Sequence, residues 1–518
     1  MTNERILWAD DEIDLLKPHI IFLEQKGYHL TTVNNGRDAI DLVRENFFDI
    51  VFLDENMPGL SGLQVLQELK TIDPTLPVVM ITKSEEEQIM EDAIGSKISD
   101  YLIKPVNPNQ ILLSLKKNLD EKRLVSEKTT SDYRQEFREI SMRLGDRMDH
   151  NEWSDFYRKL VHWSMELQST TDEGMNEIFR TQRLEANEQF SKFIKNNYVQ
   201  WLKDQSKAPT MSHTLIKSKV APVIKDSGDS TVFLLVIDNL RFDQWKTIAP
   251  QLKEFFRVDS EEIFYSILPT ATHYARNALF AGLMPSEIER VHPQLWKNED
   301  DEGGKNMHEE ELMAAQLKRL GFDFKWSYNK ITQLHQGKKL ADQFSNLMTN
   351  KLNVIVYNFV DMLSHARTEM EVIKELADDE PAYRSLTASW FEHSPLLDIL
   401  KKVAENNCKL VITTDHGTVR VTNPIKVVGD RNTNSNLRYK AGRNLNYNPK
   451  EVFEIRNPAD AFLPKTNVST SYIFAQNEDF FVYPNNYNHF VNFYQNTFQH
   501  GGISMEEVMI PFIVLQSK

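Results

Sequence analysis

Aspartate and histidine side chains follow short apolar runs at several places in the C-terminal part of the chain. The four segments read FLLVIDNLR, NFVDMLSHAR, LVITTDHGT and HGGIS, and the first three continue apolar runs of strand length. Polar side chains at the carboxyl ends of parallel strands meet at one edge of an α/β sheet. A single Asp–His pair would indicate little, whereas four such segments predict an α/β domain with a hydrolytic site for two metal ions.

The bulk composition is that of an ordinary globular protein. The chain has 518 residues, of which 41% are hydrophobic and 26% are charged, and this length predicts several domains. A net charge of −15 opposes affinity for a nucleic-acid backbone, so we expect no direct DNA binding. The sequence contains no apolar run of membrane-spanning length, and Cys408 is its only cysteine. We therefore expect a protein of the reducing cytoplasm.

Strand and helix patterns alternate at short intervals in residues 1–121. The apolar runs RILWAD, HLTTVN, DIVFLD, LPVVMIT and DYLIK are each followed by an amphipathic helical stretch. Five such units predict a doubly wound parallel sheet, with functional residues at the carboxyl ends of the strands.

Two further regions follow along the chain. Residues 122–212 contain little glycine and many charged and aromatic residues, which predicts a helical-bundle linker that acts as a spacer or a dimer-forming surface. Strand signals such as TVFLLVID and CKLVITTD return in residues 213–518. This third region is predicted to be one large α/β domain.

Polar side chains also stand at the strand ends of the first region. Asp10 and Asp11 follow the first strand, Asp54 the third, Thr82 the fourth and Lys104 the fifth. Carboxylates gathered at one edge of a sheet need a cation, and their oxygens suit Mg²⁺. A carboxylate beside that cation can attack a phosphoryl donor, while the hydroxyl and the lysine hold the transferred oxygens.

The first region resembles the receiver domain of bacterial response regulators in the strings ADDE, FLDENMPGLSG, MITKS and DYLIKP. The resemblance implies that Asp54 is the phospho-acceptor and that Tyr101 is the switch aromatic. It also implies that Thr82 and Lys104 contact the phosphoryl group. The Mg²⁺ ligands that it implies are Asp10, Asp11, Asp54 and the backbone carbonyl of Asn56.

The spacing of the C-terminal acids and histidines suits metal binding. Asp361 and His365 are four residues apart, so on a helix they share one face and can bind one metal ion. Asp415 and His416 stand at another strand end, and His500 precedes two glycines that let the backbone approach a buried site. Mixed carboxylate and imidazole ligands favour Zn²⁺, with Mn²⁺ as a substitute.

These segments resemble the alkaline phosphatase superfamily, especially its nucleotide pyrophosphatase/phosphodiesterase branch and the related PglZ-type domain. The nucleophile of that branch is a threonine, for which PTATHYARN offers Thr270 and Thr272, and the spacing favours Thr272. Two zinc sites are implied, the first made by Asp238, Asp415, His416 and the nucleophile and the second by Asp361, His365 and His500.

A basic segment follows the Asp415–His416 pair. RVTNPIKVVGDRNTNSNLRYKAGR contains one acid among its six basic residues. We expect it either to bind substrate phosphates or ribose or to be a solvated loop. The candidate substrate contacts are Arg431, Arg438, Lys440 and Arg443.

Over essentially its whole length the chain resembles the PorX-type response regulators of Bacteroidetes. That resemblance implies control of the type IX secretion system, a sensor histidine kinase as phosphodonor and a sigma factor as a further partner. The leading hypothesis is a zinc-dependent phosphodiesterase acting on nucleotide-type substrates, which forms a homodimer on phosphorylation. The alternative is a binding module that recognises a nucleotide messenger or a protein without turnover.

Overall fold

The computed structural model describes residues 4–73, 76–83, 98–169, 173–361, 379–430 and 433–518. The chain divides into two compact units, Met1–Arg134 and Gln135–Lys518. Two predicted site residues, His365 and Arg431, lie outside the described residues. Within the described ranges, no helix combines the length and the apolar character needed to cross a membrane.

The first unit contains a five-stranded parallel sheet in the order β2-β1-β3-β4-β5. This arrangement is the doubly wound sheet that the sequence predicts. The strands are β1 Arg5–Ala9, β2 His29–Val33, β3 Ile50–Asp54, β4 Val78–Thr82 and β5 Asp100–Ile103. The described helices are α1 Lys17–Gln25, α2 Gly36–Glu45, α3 Gly62–Ile72 and α4 Pro108–Leu144, with a 3₁₀ turn at Ile13–Leu16.

The central strands of this sheet are apolar because both of their faces are covered. All residues of β3 and β4 are buried, and separate apolar clusters lie on the two faces of the sheet. Helix starts are fixed by side chains, since Asn35 caps α2 and Ser61 forms a capping box with Gln64 at α3.

The second unit begins with helices that belong to the predicted linker. They are α5 His150–Glu166 and α6 Glu173–Lys203, separated by a 3₁₀ turn at Leu167–Ser169. Asp149 caps α5 and forms a capping box with Glu152. The buried aromatic side chains of Phe190 and Trp201 on α6 pack against Tyr265 of the C-terminal domain. The helical segment therefore shares a core with that domain.

The C-terminal domain is built on a six-stranded sheet in the order β7-β18-β10-β6-β9-β8. The strands β10, β6, β9 and β8 are parallel, whereas β18 is antiparallel to both β10 and β7. Its strands are β6 Val232–Ile237, β7 Phe256–Tyr265, β8 Trp326–Ile331, β9 Leu352–Tyr357, β10 Lys409–Thr413 and β18 Met509–Ser517.

Three smaller sheets lie between β10 and β18 in the sequence. They are made by β11 Val419–Arg420, β12 Asn423–Lys426, β13 Tyr439–Gly442, β14 Phe453–Ile455, β15 Ser471–Phe474, β16 Asp479–Val482 and β17 Phe498–Gln499. The basic segment thus contains short strands in addition to loops.

The C-terminal domain also contains the following helices. They are α7 Ser212–Leu215, α8 Ala221–Asp226, α9 Phe242–Leu252, α10 Thr272–Ala281, α11 Pro285–Val291, α12 Glu309–Arg319, α13 Leu334–Asp342, α14 Phe344–Leu347, α15 Glu380–His393, α16 Pro395–Glu405, α17 Tyr487–Tyr494 and α18 Met505–Val508. Shorter helical turns span Gln205–Lys207, Ile216–Val220, Pro293–Leu295 and Pro458–Ala461.

Candidate functional site

Three neighbouring parallel strands bring the predicted acidic residues to one edge of the C-terminal sheet. Asp238 directly follows β6, Asp415 lies just after β10, and Asp361 comes four residues after β9. Because β10, β6 and β9 are adjacent and parallel, their carboxyl ends meet. Sequence positions more than a hundred residues apart are thereby joined in one cleft.

The first group of candidate ligands consists of Asp238, Asp415 and His416. Their ligand atoms all lie within 4.8 Å of one another, and all three side chains are almost fully buried. The Oδ2 atom of Asp415 has no hydrogen-bond partner among the described residues. A buried carboxylate oxygen without a partner is costly, and a cation would satisfy it. The donor set of two carboxylates and one imidazole fits Zn²⁺.

Thr272 lies beside this group. It is the first residue of α10, and its Oγ1 is 3.0 Å from His416 Nε2 and 3.5 Å from Asp238 Oδ1. The hydroxyl of Thr270 instead donates to the carbonyl of Gly502 at 2.9 Å and accepts from the N–H of Gly501. The structure therefore brings Thr272 to the candidate ligands and gives Thr270 a role in holding the neighbouring loop.

The described part of the second group consists of Asp361 and His500. His500 Nε2 is 3.7 Å from Asp361 Oδ1, and the rings of His500 and His416 stack with their centroids 4.3 Å apart. Asn239 contacts both groups, since its backbone N–H donates to Asp415 and its amide donates to Asp361. The two ligand groups are therefore neighbours, as a two-metal arrangement requires.

Arg276 is a residue of this site that the sequence analysis missed. Its Nη1 is 2.7 Å from Asp238 Oδ2 and 3.8 Å from Asp415 Oδ2, and its Nε donates to Glu309 at 2.7 Å. The sequence does contain an indication that Arg276 belongs to the site. It stands four residues after Thr272, so the two side chains share one face of the helix.

The electrostatics of Asp238 reflect its buried position. Burial raises the pKa of this carboxyl to about 6, with Asp415 acting in the same direction and the Arg276 guanidinium opposing the rise. A cation beside this carboxyl would favour its charged form.

Two glycines allow the backbone to pass close to its neighbours at the ligand loops. A Cβ on Gly417, the residue after His416, would lie 2.0 Å from the carbonyl oxygen of Glu506. Gly501, after His500, has φ of +123° and packs against Tyr439. Both positions therefore exclude larger side chains.

Arg438 differs from its predicted role as a substrate contact. The side chain is fully buried, and its guanidinium binds both carboxylate oxygens of Glu507 at 3.1 and 2.6 Å. Glu507 in turn accepts from the N–H of Gly502 at 2.8 Å. Because its donors are committed to protein groups, Arg438 supports the loop that carries His500.

Two other basic residues of this segment, Lys440 and Arg443, also have protein partners. Lys440 is buried, donates to the carbonyl of Asn434 at 2.9 Å and lies over the Tyr483 ring, and burial lowers its pKa to about 7. Arg443 is exposed and pairs with Asp430 at 3.2 Å. Lys440 is therefore a packed core residue, which differs from the solvated loop that was one alternative for this segment.

The first unit holds a second candidate metal site. Ligand atoms of Asp10, Asp11 and Asp54 lie within 4.8 Å of one another, with Asp10 and Asp54 buried and Asp11 exposed. Lys104 Nζ is 2.8 Å from Asp10 and 3.1 Å from Asp54. Burial and the neighbouring charge of Asp10 raise the pKa of Asp54 to about 6. A partly exposed carboxylate cluster of this kind fits Mg²⁺.

The remaining predicted receiver residues surround this cluster. Thr82 ends β4 and is buried, and its carbonyl accepts from the N–H of Lys104 at 2.7 Å. Tyr101 lies on β5 and is half-buried, and Asn56 is exposed two residues after Asp54. The structure thus gathers Asp10, Asp54 and Lys104 directly, with Thr82 at the end of the adjacent strand.

Three protein-family models match the chain. The BREX system PglZ alkaline phosphatase-like domain matches residues 215–515, the PorX response regulator linker domain matches residues 123–202, and the response regulator receiver domain matches residues 6–116.

Two curated relatives each match less than a quarter of the chain. The chain is 35% identical over 120 residues to the alginate biosynthesis transcriptional regulatory protein AlgB of Pseudomonas syringae pv. tomato, which covers 23% of this chain and 27% of that protein. It is 32% identical over 116 residues to the transcriptional regulatory protein SrrA of Staphylococcus aureus, covering 22% and 47%. The chain thus spans between about a quarter and a half of the length of these relatives.

Similar solved structures are receiver domains. One from Clostridium thermocellum is 28% identical and covers 23% of this chain and 98% of its own, with a TM-score of 0.23. A response regulator from Clostridium difficile is 29% identical and covers 23% and 96%, with a TM-score of 0.22.

The fold and the two sites define a response regulator with an alkaline phosphatase-like output domain. The chain belongs to the PglZ alkaline phosphatase-like family, and its order of receiver, linker and PglZ domain is the PorX-type architecture.

Proposed function

We propose that the protein is a phosphorylation-regulated, zinc-dependent phosphodiesterase that acts on nucleotide-type substrates. The observation that carries the proposal is the position of the Thr272 hydroxyl, 3.0 Å from His416 and 3.5 Å from Asp238, at the edge of two adjoining ligand groups. A hydroxyl among metal ligands is suited to nucleophilic catalysis, whereas binding alone needs none.

The side chains of the site would have different roles in catalysis. Asp238, Asp415 and His416 would hold one zinc ion, and Asp361 and His500 would contribute to the second. Bound zinc would lower the pKa of the Thr272 hydroxyl and stabilise the developing negative charge. Thr272 Oγ1 attacks phosphorus, the ester oxygen leaves, and water then releases the phosphoryl group from Thr272. Arg276 keeps Asp238 oriented through its second carboxylate oxygen.

The receiver domain would regulate this activity. Asp54 would accept a phosphoryl group from a sensor histidine kinase while Asp10, Asp11 and the Asn56 carbonyl hold Mg²⁺, and two chains would then associate. Lys104, within reach of both Asp10 and Asp54, would stabilise the transferred group. Control of type IX secretion, with a sigma factor as a further partner, is part of the proposal and rests on the resemblance to PorX-type response regulators; the linker match supports that architecture.

The catalytic proposal is tested by hydrolysis of bis-p-nitrophenyl phosphate with the zinc-loaded chain. We expect Thr272→Ala to lower kcat at least about 100-fold and Thr272→Ser to retain part of the activity. Thr332→Ala, at an exposed threonine outside the site, is the matched control. A wild-type protein that binds two zinc ions without turnover would reject catalysis and favour a binding module for a nucleotide messenger or protein.

The regulatory proposal is tested separately by light scattering. Acetyl phosphate or beryllofluoride with Mg²⁺ should double the mass of the wild-type chain and leave Asp54→Asn monomeric. A wild-type mass that does not change would reject phosphorylation-driven dimerisation without bearing on catalysis.

A further inference from the structure

A cavity of about 520 Å³ lies between the helical segment and the PglZ domain, within the second unit. This volume falls in the range of about 300–1,000 Å³ that is typical of small-molecule sites. None of the described metal-site residues, Thr272 included, lines the cavity. It is therefore distinct from the candidate catalytic site.

Four arginines line this cavity, which is unusual for a chain of net charge −15. Arg180 and Arg183 come from α6, whereas Arg384 and Arg420 come from the PglZ domain. Guanidinium groups on opposite walls can bind one anion from two sides, because each offers several N–H donors in a fixed plane.

Two of these arginines each have an N–H group without a hydrogen-bond partner among the described residues. Arg384 is 3% exposed and donates to Asp243 and Gln168 through its two terminal nitrogens, while its buried Nε–H has no hydrogen-bond partner among the described residues. The buried Nε–H of Arg420 is likewise without a partner there. Both Nε atoms are covered by protein atoms, so these unpaired donors add to the positive charge beside the cavity and do not themselves contact a ligand in it.

The three acids that line the cavity are already paired within the protein. Glu380 is bound by Arg183 and Arg241, and Glu478 by Arg183 at 3.2 Å and by the hydroxyl of Thr422. Asp379 accepts from the N–H of Ala382 at the start of α15. The charges of Glu380 and Glu478 are thus compensated by arginine, whereas the contact of Arg180 with Glu177 is a weak, exposed pair at 3.9 Å.

The rest of the cavity lining could bind an organic group in addition to an anion. Leu167, Phe179 and Pro381 supply apolar surface, and Gln168 and Asn176 supply amide groups. We propose that this cavity is a second ligand site, which binds a phosphate-bearing small molecule of nucleotide size between the helical segment and the PglZ domain. The inference does not depend on the proposed phosphodiesterase activity.

The test is isothermal titration calorimetry of the full-length chain in EDTA, where phosphates have no bound metal to ligate. The probes are inorganic pyrophosphate and ADP. We expect both to bind the wild-type chain, and we expect Arg180→Gln and Arg420→Gln each to weaken binding about tenfold, as loss of one charged contact implies. Arg456→Gln removes an exposed arginine outside the cavity and should leave the affinity unchanged.

The two probes also distinguish the source of the phosphate. Tighter binding of ADP would support a nucleotide that uses the apolar wall, and equal binding would support recognition of the phosphate groups alone. Thermal melting of each variant shows whether it is folded. An absence of binding at millimolar concentrations, or equal affinity in the wild type and both cavity variants, would overturn the proposal.

Discussion

Arg276 and Asp238 form a buried ion pair in which Nη1 lies 2.7 Å from Oδ2. The other oxygen of Asp238, Oδ1, is the one that faces Thr272. Arg276 also donates through its Nε to Glu309, which contacts Lys330 at 3.0 Å. The carboxylate is therefore fixed between the Arg276 guanidinium on one side and the Thr272 hydroxyl on the other.

We predict that Arg276→Met destabilises the metal-free chain by about 3 kcal/mol, because removal of one partner leaves a buried carboxylate uncompensated. Zinc should offset part of this loss, so the rise in melting temperature on zinc addition should be larger in the variant than in the wild type. Melting curves in EDTA and in zinc check this, with Arg443→Met as the control at an exposed arginine. Equal melting temperatures of Arg276→Met and wild type in EDTA would contradict the prediction.

A methyl group at Gly417 should weaken metal binding. The added Cβ would lie 2.0 Å from the Glu506 carbonyl oxygen, so the backbone beside His416 must shift. We expect Gly417→Ala to cost about 1–3 kcal/mol of stability and to lower zinc affinity roughly tenfold. Competition with a chelating dye measures the affinity.

The control for this variant is Gly145→Ala, where the nearest atom to an added Cβ is the Met142 carbonyl oxygen at 3.3 Å. It should keep the wild-type zinc affinity. The prediction fails if Gly417→Ala binds zinc as tightly as this control does.

Helix α6 contacts α18, the short helix that follows the His500 loop, through Asn187. The buried amide of Asn187 donates to Glu506 at 3.0 Å and accepts from the N–H of Met505 at 2.7 Å. Asn187→Ala would leave both groups unsatisfied, at a cost of about 2–4 kcal/mol. Urea unfolding should show this loss, whereas Asn196→Ala, at an exposed position of the same helix, should change stability by less than about 0.5 kcal/mol. Similar losses in the two variants would exclude a specific role for Asn187.

The apolar runs were sufficient to predict the strands at the centre of both sheets. β3, β4, β6 and β9 are buried along their whole length, so their sequences are predominantly apolar. The edge strands β7 and β8 were not predicted, because FRVDSEEIFY and WSYNKI carry polar and charged residues that the open edge tolerates.

The candidate ligands were predictable for a related reason, since residues at the ends of adjacent parallel strands must converge. The contacts that support these ligands are not predictable from the sequence. Arg438 and Glu507 are 69 residues apart in the sequence, and only the fold shows that they are paired and buried. From the sequence alone, an arginine in a basic segment therefore suggests a substrate contact, although the Arg438 guanidinium is paired with Glu507 inside the protein.

His213 gives the chain a dependence of stability on pH. Burial lowers the pKa of this imidazole from 6.5 to about 4, so the unfolded chain binds the proton more readily than the folded chain between these values. The stabilisation is complete above pH 6.5 and is lost as the pH falls toward 4, with a loss of about 2 kcal/mol at pH 5. His213→Gln has no such group, so the stability of the wild type relative to this variant should fall by that amount between pH 7.5 and pH 5. Urea unfolding at the two pH values measures the difference, and a relative stability that does not change with pH would show that His213 titrates normally in the folded protein.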